Sequence, residues 1–132
     1  MIEQKVEAYI ERWGGGISRG GNETANYQLF LTELCTLLDL PQPEPARTDR
    51  NVNAYTFERS ITEQFATGGK TGRRIDLYKR GCFVLEGKDT GKKVESDGWD
   101  SAITKAVKQA ENYARSLPVE EGRPPFIVVV DV

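Results

Sequence analysis

The chain has no histidine, only two cysteines and only one methionine among its 132 residues. The absence of histidine excludes histidine-ligated metal sites, Ser-His-Asp triads and nucleases that depend on a histidine base. Cys35 and Cys82 lie in apolar segments and make no metal-ligand spacing. This usage of cysteine predicts reduced thiols and a cytoplasmic location.

Long apolar runs and an excess of basic charge are also missing. No segment approaches the length of a membrane span and no signal peptide is visible, so we expect no membrane partner. The formal net charge is −2, which is not typical of a protein that coats DNA on its own. The length predicts one domain over residues 1–132. Its apolar segment at 126–130 lies so close to the end that we expect a fragment of a longer protein.

The segment at 73–88 has the pattern of two β-strands joined by a tight turn at Gly81. Glu86 and Lys88 lie two residues apart and so share one face of the second strand. A three-residue turn would place Asp76 opposite Glu86 on that face, whereas a two-residue turn would send it to the other face. Three apolar residues precede Glu86 without a polar break, which predicts a second strand buried on both faces.

Two carboxylates on one face repel each other unless a divalent cation lies between them or one of them is protonated. Mg²⁺ commonly binds one or two carboxylates together with waters and substrate phosphate oxygens. A lysine beside that ion can orient or deprotonate a water and offset charge on phosphorus. The alternative is an exposed hairpin with ordinary cross-strand charge pairs, but charges at the end of a buried strand are costly without a partner.

The residues Asp76 and Glu86-Gly87-Lys88, with nine residues between the two acids, resemble the D-x9-ExK motif of the PD-(D/E)xK nuclease superfamily. Residues 22–132 resemble the N-terminal endonuclease domain of MmeI-like (type IIG/IIL) restriction-modification enzymes. This resemblance implies an α/β fold with a restriction-endonuclease-like αβββαβ core, in which helices flank a mixed four-stranded sheet. It also implies a DNA endonuclease that uses Mg²⁺, for which Mn²⁺ can substitute, and that leaves 5′-phosphate and 3′-hydroxyl ends.

The resemblance also implies roles for individual residues. Asp76, Glu86 and the backbone carbonyl of Gly87 would bind the metal, and Lys88 would orient or activate water. Gln109 and Tyr113 resemble the Gln-x3-Tyr motif of the RecB-type branch and would support the site. Two positions depart from the pattern. Ile75 replaces the proline before the first acid, and Asp89 follows Lys88 where a neutral polar residue is expected.

A third acid could come from a helix predicted over 22–39, with Asn22 as its N-cap. Glu23 lies one turn before Tyr27 on the apolar face of this helix. It either complements the helix dipole or lies near the metal, because the first core helix of many nucleases in the superfamily supplies a glutamate. Glu33, at the edge of the apolar face, is the weaker candidate.

The other predicted elements are a helix at 3–13, a strand at 55–61, a helix at 99–117 capped by Asp97, and a strand at 126–130. The last strand is unbroken and β-branched, which predicts a central strand parallel to a neighbour. Basic residues that either contact phosphates or are simply solvated are Lys70, Arg73, Arg74, Lys105 and Lys108. The Gly-Lys-Thr segment that contains Lys70 is not a Walker loop, because Gln64 stands at the required first glycine and a strand follows.

The resemblance implies double-stranded DNA as a partner, together with methyltransferase and target-recognition domains of the same longer chain. S-adenosylmethionine would be needed only by that further, C-terminal region. The alternative function is a catalytically inactive nuclease-fold module that binds DNA or acts as a scaffold for an attached methyltransferase. The intact set of Asp76, Glu86 and Lys88 argues against this alternative, since an inactive site has no chemical reason to retain all three.

Overall fold

The computed structural model describes residues 2–14, 23–45 and 54–131. The chain divides into two compact units, Met1–Pro43 and Glu44–Val132, and each is described by itself. The first unit contains α1 (Ile2–Trp13) and α2 (Glu23–Leu37). The elements of the second unit are β1 (Tyr55–Gln64), β2 (Lys70–Lys79), β3 (Phe83–Lys88), α3 (Asp97–Arg115), a short 3₁₀ helix (Val119–Glu121) and β4 (Phe126–Asp131). Whether the two units act as the single predicted domain stays a prediction.

The two helices of the first unit pack through aromatic side chains. The rings of Tyr9 and Trp13 on α1 lie 5.3 and 5.5 Å from the ring of Phe30 on α2. The Tyr9 hydroxyl also donates a hydrogen bond to the Phe30 carbonyl, at 3.2 Å. α2 ends two residues before the predicted position 39, because Asp39 has a φ of 58° and interrupts the helical backbone. The predicted cap Asn22 lies outside the described residues.

The second unit confirms the predicted α/β class with a restriction-endonuclease-like core. Its sheet has the order β1-β2-β3-β4, in which the first three strands are antiparallel and β4 is parallel to β3. α3 connects β3 to β4 and packs on the sheet with small residues, including the buried Ala106, Ala110 and Ala114. The core between them also contains Ile75, Tyr78, Val84, Tyr113 and Leu117. In the described ranges no helix is long and apolar enough to cross a membrane.

The prediction for β4 is right about its direction and wrong about its place. β4 is parallel to β3, but in the described part of the chain it pairs with β3 alone and is therefore an edge strand. Its Phe126 is exposed and the following residues are only partly buried. A β-branched apolar run reports packing against the layer above, here α3, and carries no information on how many strands flank it.

The N-cap of α3 is Ser96 rather than the predicted Asp97. The Ser96 hydroxyl oxygen accepts a hydrogen bond from the backbone N–H of Trp99 at 3.2 Å, as an N-cap does. Asp97 is instead the first helical residue. There its charge, together with that of Asp100, complements the positive end of the helix dipole. Serine and aspartate are nearly equal as caps, so their order in the sequence did not decide between them.

Candidate active site

A three-residue turn joins β2 to β3, as the sequence analysis required. Lys79 pairs with Phe83, which leaves Arg80, Gly81 and Cys82 as the turn. The Cys82 N–H donates to the Lys79 carbonyl at 3.0 Å, and Gly81 has a φ of 72°, a left-handed conformation that glycine adopts without steric cost. Continued by one residue beyond Leu77 and Leu85, this register brings Asp76 opposite Glu86. Hydrogen bonds between the two residues and the facing strands there confirm the predicted arrangement of the two acids.

The carboxylates of Asp76 and Glu86 each accept a hydrogen bond from a backbone N–H of the facing strand. Backbone pairing between β2 and β3 ends at Leu77 and Leu85. Beyond that pair, the Asp76 N–H donates to Glu86 Oε1 at 3.2 Å, and the Gly87 N–H donates to Asp76 Oδ2 at 2.8 Å. Side-chain oxygens thus take the place of the backbone acceptors that would continue the ladder. This reciprocal pair of bonds fixes both acids relative to the sheet.

Glu86 is buried, with only 3% of its surface exposed. The pKa of its carboxyl group is raised to about 8. Burial, the nearby charge of Asp76 and a side-chain hydrogen bond with Asp76 raise it, whereas the hydrogen bond from the Asp76 N–H and the charge of Lys88 lower it. The site therefore retains a proton at neutral pH in the absence of a cation. A divalent ion between the two carboxylates would displace that proton, because metal ligands bind in their deprotonated form.

Lys88 at the end of β3 is held by α3. Its ammonium Nζ donates a hydrogen bond to Gln109 Oε1 at 3.0 Å. The other end of the Gln109 amide, Nε2, donates to the hydroxyl of Tyr113 one turn further along the helix. Tyr113 is itself buried. The Gln109 amide therefore connects the buried Tyr113 side chain to Lys88. Both residues of the Gln-x3-Tyr motif thus lie at the same end of the sheet as the two acids.

The donor set suits Mg²⁺ better than a metal that needs a full protein cage. Among the described residues no group of three or more histidine, cysteine, aspartate or glutamate side chains converges on a possible metal site. Asp76 and Glu86 offer two carboxylates, and Mg²⁺ commonly binds through one or two carboxylates while retaining waters and substrate phosphate oxygens. The role of the Gly87 carbonyl as a further ligand stays a prediction.

The two candidates for a third acid lie in the first unit. Glu23 begins α2, and its side chain lies outside the described part of the structure, so its role near a metal stays a prediction. Glu33 accepts hydrogen bonds from the Arg12 guanidinium Nε at 3.1 Å and from the Trp13 indole Nε1 at 3.2 Å. These contacts connect α1 to α2 and give Glu33 a structural role in its own unit.

A buried ion pair in the second unit was missed by the sequence analysis. The two terminal guanidinium nitrogens of Arg59 donate to the carboxylate of Glu121, at 2.9 and 2.7 Å. Tyr78 and Arg80 donate to the same carboxylate, at 3.0 and 3.3 Å. The available signal was an arginine on the inward side of a strand between Phe57 and Ile61, because a buried guanidinium requires an anionic partner.

Asp131 is a second residue that the sequence analysis missed. It follows the last apolar residue of β4 and lies beside Lys88 in the parallel register. Its carboxylate accepts hydrogen bonds from the Thr90 hydroxyl at 2.8 Å and the Trp99 indole N–H at 2.7 Å. Asp131 thereby anchors the segment that follows Lys88 and the first turn of α3. No local pattern in the sequence pointed to these contacts.

A mixed sheet of this order, with two carboxylates and a lysine at the end of its central hairpin, defines a restriction-endonuclease-like domain. The family model described as MmeI, N-terminal domain, matches residues 1–132, and the chain therefore belongs to that family. Comparison with curated proteins and with solved structures gave no match. Membership of the family connects the chain with restriction-modification enzymes.

Proposed function

We propose that this chain is the endonuclease domain of a restriction-modification enzyme and that it hydrolyses phosphodiester bonds in double-stranded DNA with Mg²⁺ or Mn²⁺. The observation that carries the proposal is the reciprocal bonding of Asp76 and Glu86 on one face of the hairpin, beside Lys88. Two acids brought into contact, one of them with a pKa of about 8, favour a cation site over a structural role.

The chain's own residues would then divide the chemistry among them. Glu86, with its proton released to solvent, would bind the cation together with Asp76. The cation would supply Lewis-acid stabilisation of the charge that develops on the phosphate. Lys88, whose Nζ is oriented by Gln109, directs a water towards phosphorus and offsets negative charge on the phosphoryl oxygens. Gln109 and Tyr113 act by holding Lys88 in place.

Membership of the family supports a longer chain in which cleavage, target recognition and methylation belong to separate domains. In this proposal, target recognition and S-adenosylmethionine-dependent methylation belong to other domains of that chain, and these domains bring the nuclease to DNA. The net charge of −2 agrees with a module that does not search DNA on its own.

The test is cleavage of supercoiled plasmid with Mn²⁺ or Mg²⁺ at low salt. Asp76→Ala and Lys88→Ala should each abolish metal-dependent nicking. Glu120→Ala and Lys93→Ala are matched controls, because both residues are exposed and lie outside the site, and both should nick like the wild type. Nicking that survives either site substitution would refute the assignment. DNA binding without any metal-dependent nicking would favour the inactive binding module instead.

A further inference from the structure

A groove of about 570 Å³ opens beside the candidate active site, between the β1–β2 hairpin and one face of α3. Its lining includes Glu63, Arg73, Lys105, Lys108, Gln109 and Tyr113. The lining residues of α3 recur at three- and four-residue intervals, so they form one continuous face of the helix. We call this feature the basic groove.

The basic groove concentrates positive charge in a chain whose net charge is negative. Arg73, Lys105 and Lys108 are all exposed, against one partly buried carboxylate, Glu63. Within the described ranges none of the three cations forms an ion pair, whereas the neighbouring Arg74 lies 3.5 Å from the Glu58 carboxylate. Three unneutralised cations around one concave surface repel each other and attract an anionic ligand.

The basic groove is continuous with the candidate active site. Gln109 lines the groove and also accepts the hydrogen bond from Lys88 at 3.0 Å. Tyr113, whose hydroxyl accepts a hydrogen bond from Gln109 Nε2, also lines the groove. A polyanion with one phosphate at Asp76 and Glu86 would therefore extend its neighbouring phosphates past Gln109 towards the lysines of α3.

We infer that the basic groove binds the sugar–phosphate backbone of the DNA strand next to the bond that is cut, with Arg73, Lys105 and Lys108 each close to a phosphate. The inference rests on the proposed nuclease function and adds the path of the substrate strand. Contacts of this kind position a duplex without reading its bases, which agrees with sequence recognition by another domain.

The experiment compares DNA binding by the wild type, a groove variant (Arg73→Ala/Lys105→Ala/Lys108→Ala) and a control variant (Lys92→Ala/Lys93→Ala/Arg123→Ala). Both variants lose three exposed positive charges. Binding of a fluorescent DNA duplex is measured by anisotropy in EDTA, so that no metal-dependent cleavage occurs, over a series of salt concentrations. Circular dichroism melts establish that all three proteins fold equally, since substitutions of exposed residues by alanine should leave stability unchanged.

Loss of three phosphate contacts should reduce the slope of log K against log salt by about 2.7. Accordingly, the advantage of the wild type over the groove variant should fall about 40-fold between roughly 50 and 200 mM salt. The control variant should keep the wild-type slope. The inference is overturned if the groove variant keeps that slope, if both variants lose it equally, or if the wild type shows no salt-dependent binding.

Nicking by the same wild-type preparation in Mn²⁺ separates this inference from the proposed function. Nicking by the wild type together with an unchanged slope in the groove variant would support the nuclease function and refute DNA binding by the basic groove. A reduced slope without nicking by the wild type would support the groove as a DNA-binding surface and reject the catalytic assignment.

Discussion

Two buried carboxylates of the second unit, Glu86 and Glu121, have opposite surroundings. Glu121 receives hydrogen bonds from Arg59, Tyr78 and Arg80. Burial alone would raise its pKa, but the bonds from Arg59 and Tyr78 and the two positive charges lower it overall. Glu86 lies against another carboxyl, and its pKa is raised to about 8.

The difference separates a structural charge cluster from a candidate functional site. Arg59 and Arg80 neutralise Glu121, so the charge of this cluster is balanced without a bound ion. Around Asp76 and Glu86 the fold supplies one lysine for two acids, and the electrostatic balance is reached only with a proton or a bound cation. The two clusters should therefore respond differently to substitution, pH and metal.

The largest expected effect is on catalysis. Glu86→Gln should reduce plasmid nicking by at least about 100-fold, because it removes a negative ligand and leaves the shape of the site unchanged. The stability of the metal-free protein should not fall. Nicking rates and urea unfolding curves measure the two effects. Glu121→Gln is the matched control, and its main effect should be on stability. Equal loss of nicking in both variants would contradict the proposed distinction between a functional Glu86 and a structural Glu121.

The next largest effect is on folding. Arg59→Ala leaves the Glu121 carboxylate buried without its bidentate partner, and it should lower the free energy of unfolding by about 3–5 kcal/mol. Equilibrium unfolding in urea gives this value. The exposed pair Arg74–Glu58 provides the comparison, since Arg74→Ala should cost less than about 1 kcal/mol. A similar small loss for Arg59→Ala would contradict a structural role for the buried pair.

The pH dependence of stability should follow Glu86. Its carboxyl has an ordinary pKa of 4.5 and a folded-state pKa of about 8, so the folded protein retains a proton that the unfolded chain releases. The corresponding stabilisation is complete below pH 4.5 and is lost as the pH rises through 8. The total change in the free energy of unfolding is a few kcal/mol at most. Unfolding free energies of the metal-free wild type should therefore decline between these pH values. The same series for Glu86→Gln should show a smaller decline, and parallel curves would disprove the assignment.

Much of the hairpin could be predicted from the sequence because strand alternation and turn length together fix which side chains share a face. The position of Gln109 beside the site was implied by the resemblance to the Gln-x3-Tyr motif, whereas its hydrogen bond with Lys88 is seen only in the structure. The pair Arg59–Glu121 could not be predicted, since 62 residues separate its members and Glu121 lies in a segment with no periodic pattern. The edge position of β4 was missed because apolar content reports burial rather than the number of neighbouring strands.

The smallest expected effect is stabilisation by metal. Mn²⁺ at about 100 times its dissociation constant should raise the free energy of unfolding by about 2.7 kcal/mol, and the melting temperature accordingly. At one fixed Mn²⁺ concentration the gain should be greater at pH 8.5 than at pH 6, because the ion displaces the Glu86 proton and the dissociation constant falls as the pH rises. Asp76→Asn should abolish the gain, whereas Glu121→Gln should keep it despite its lower starting stability. A gain that persists in Asp76→Asn would place the cation elsewhere and would remove the main support for a catalytic role of the two acids.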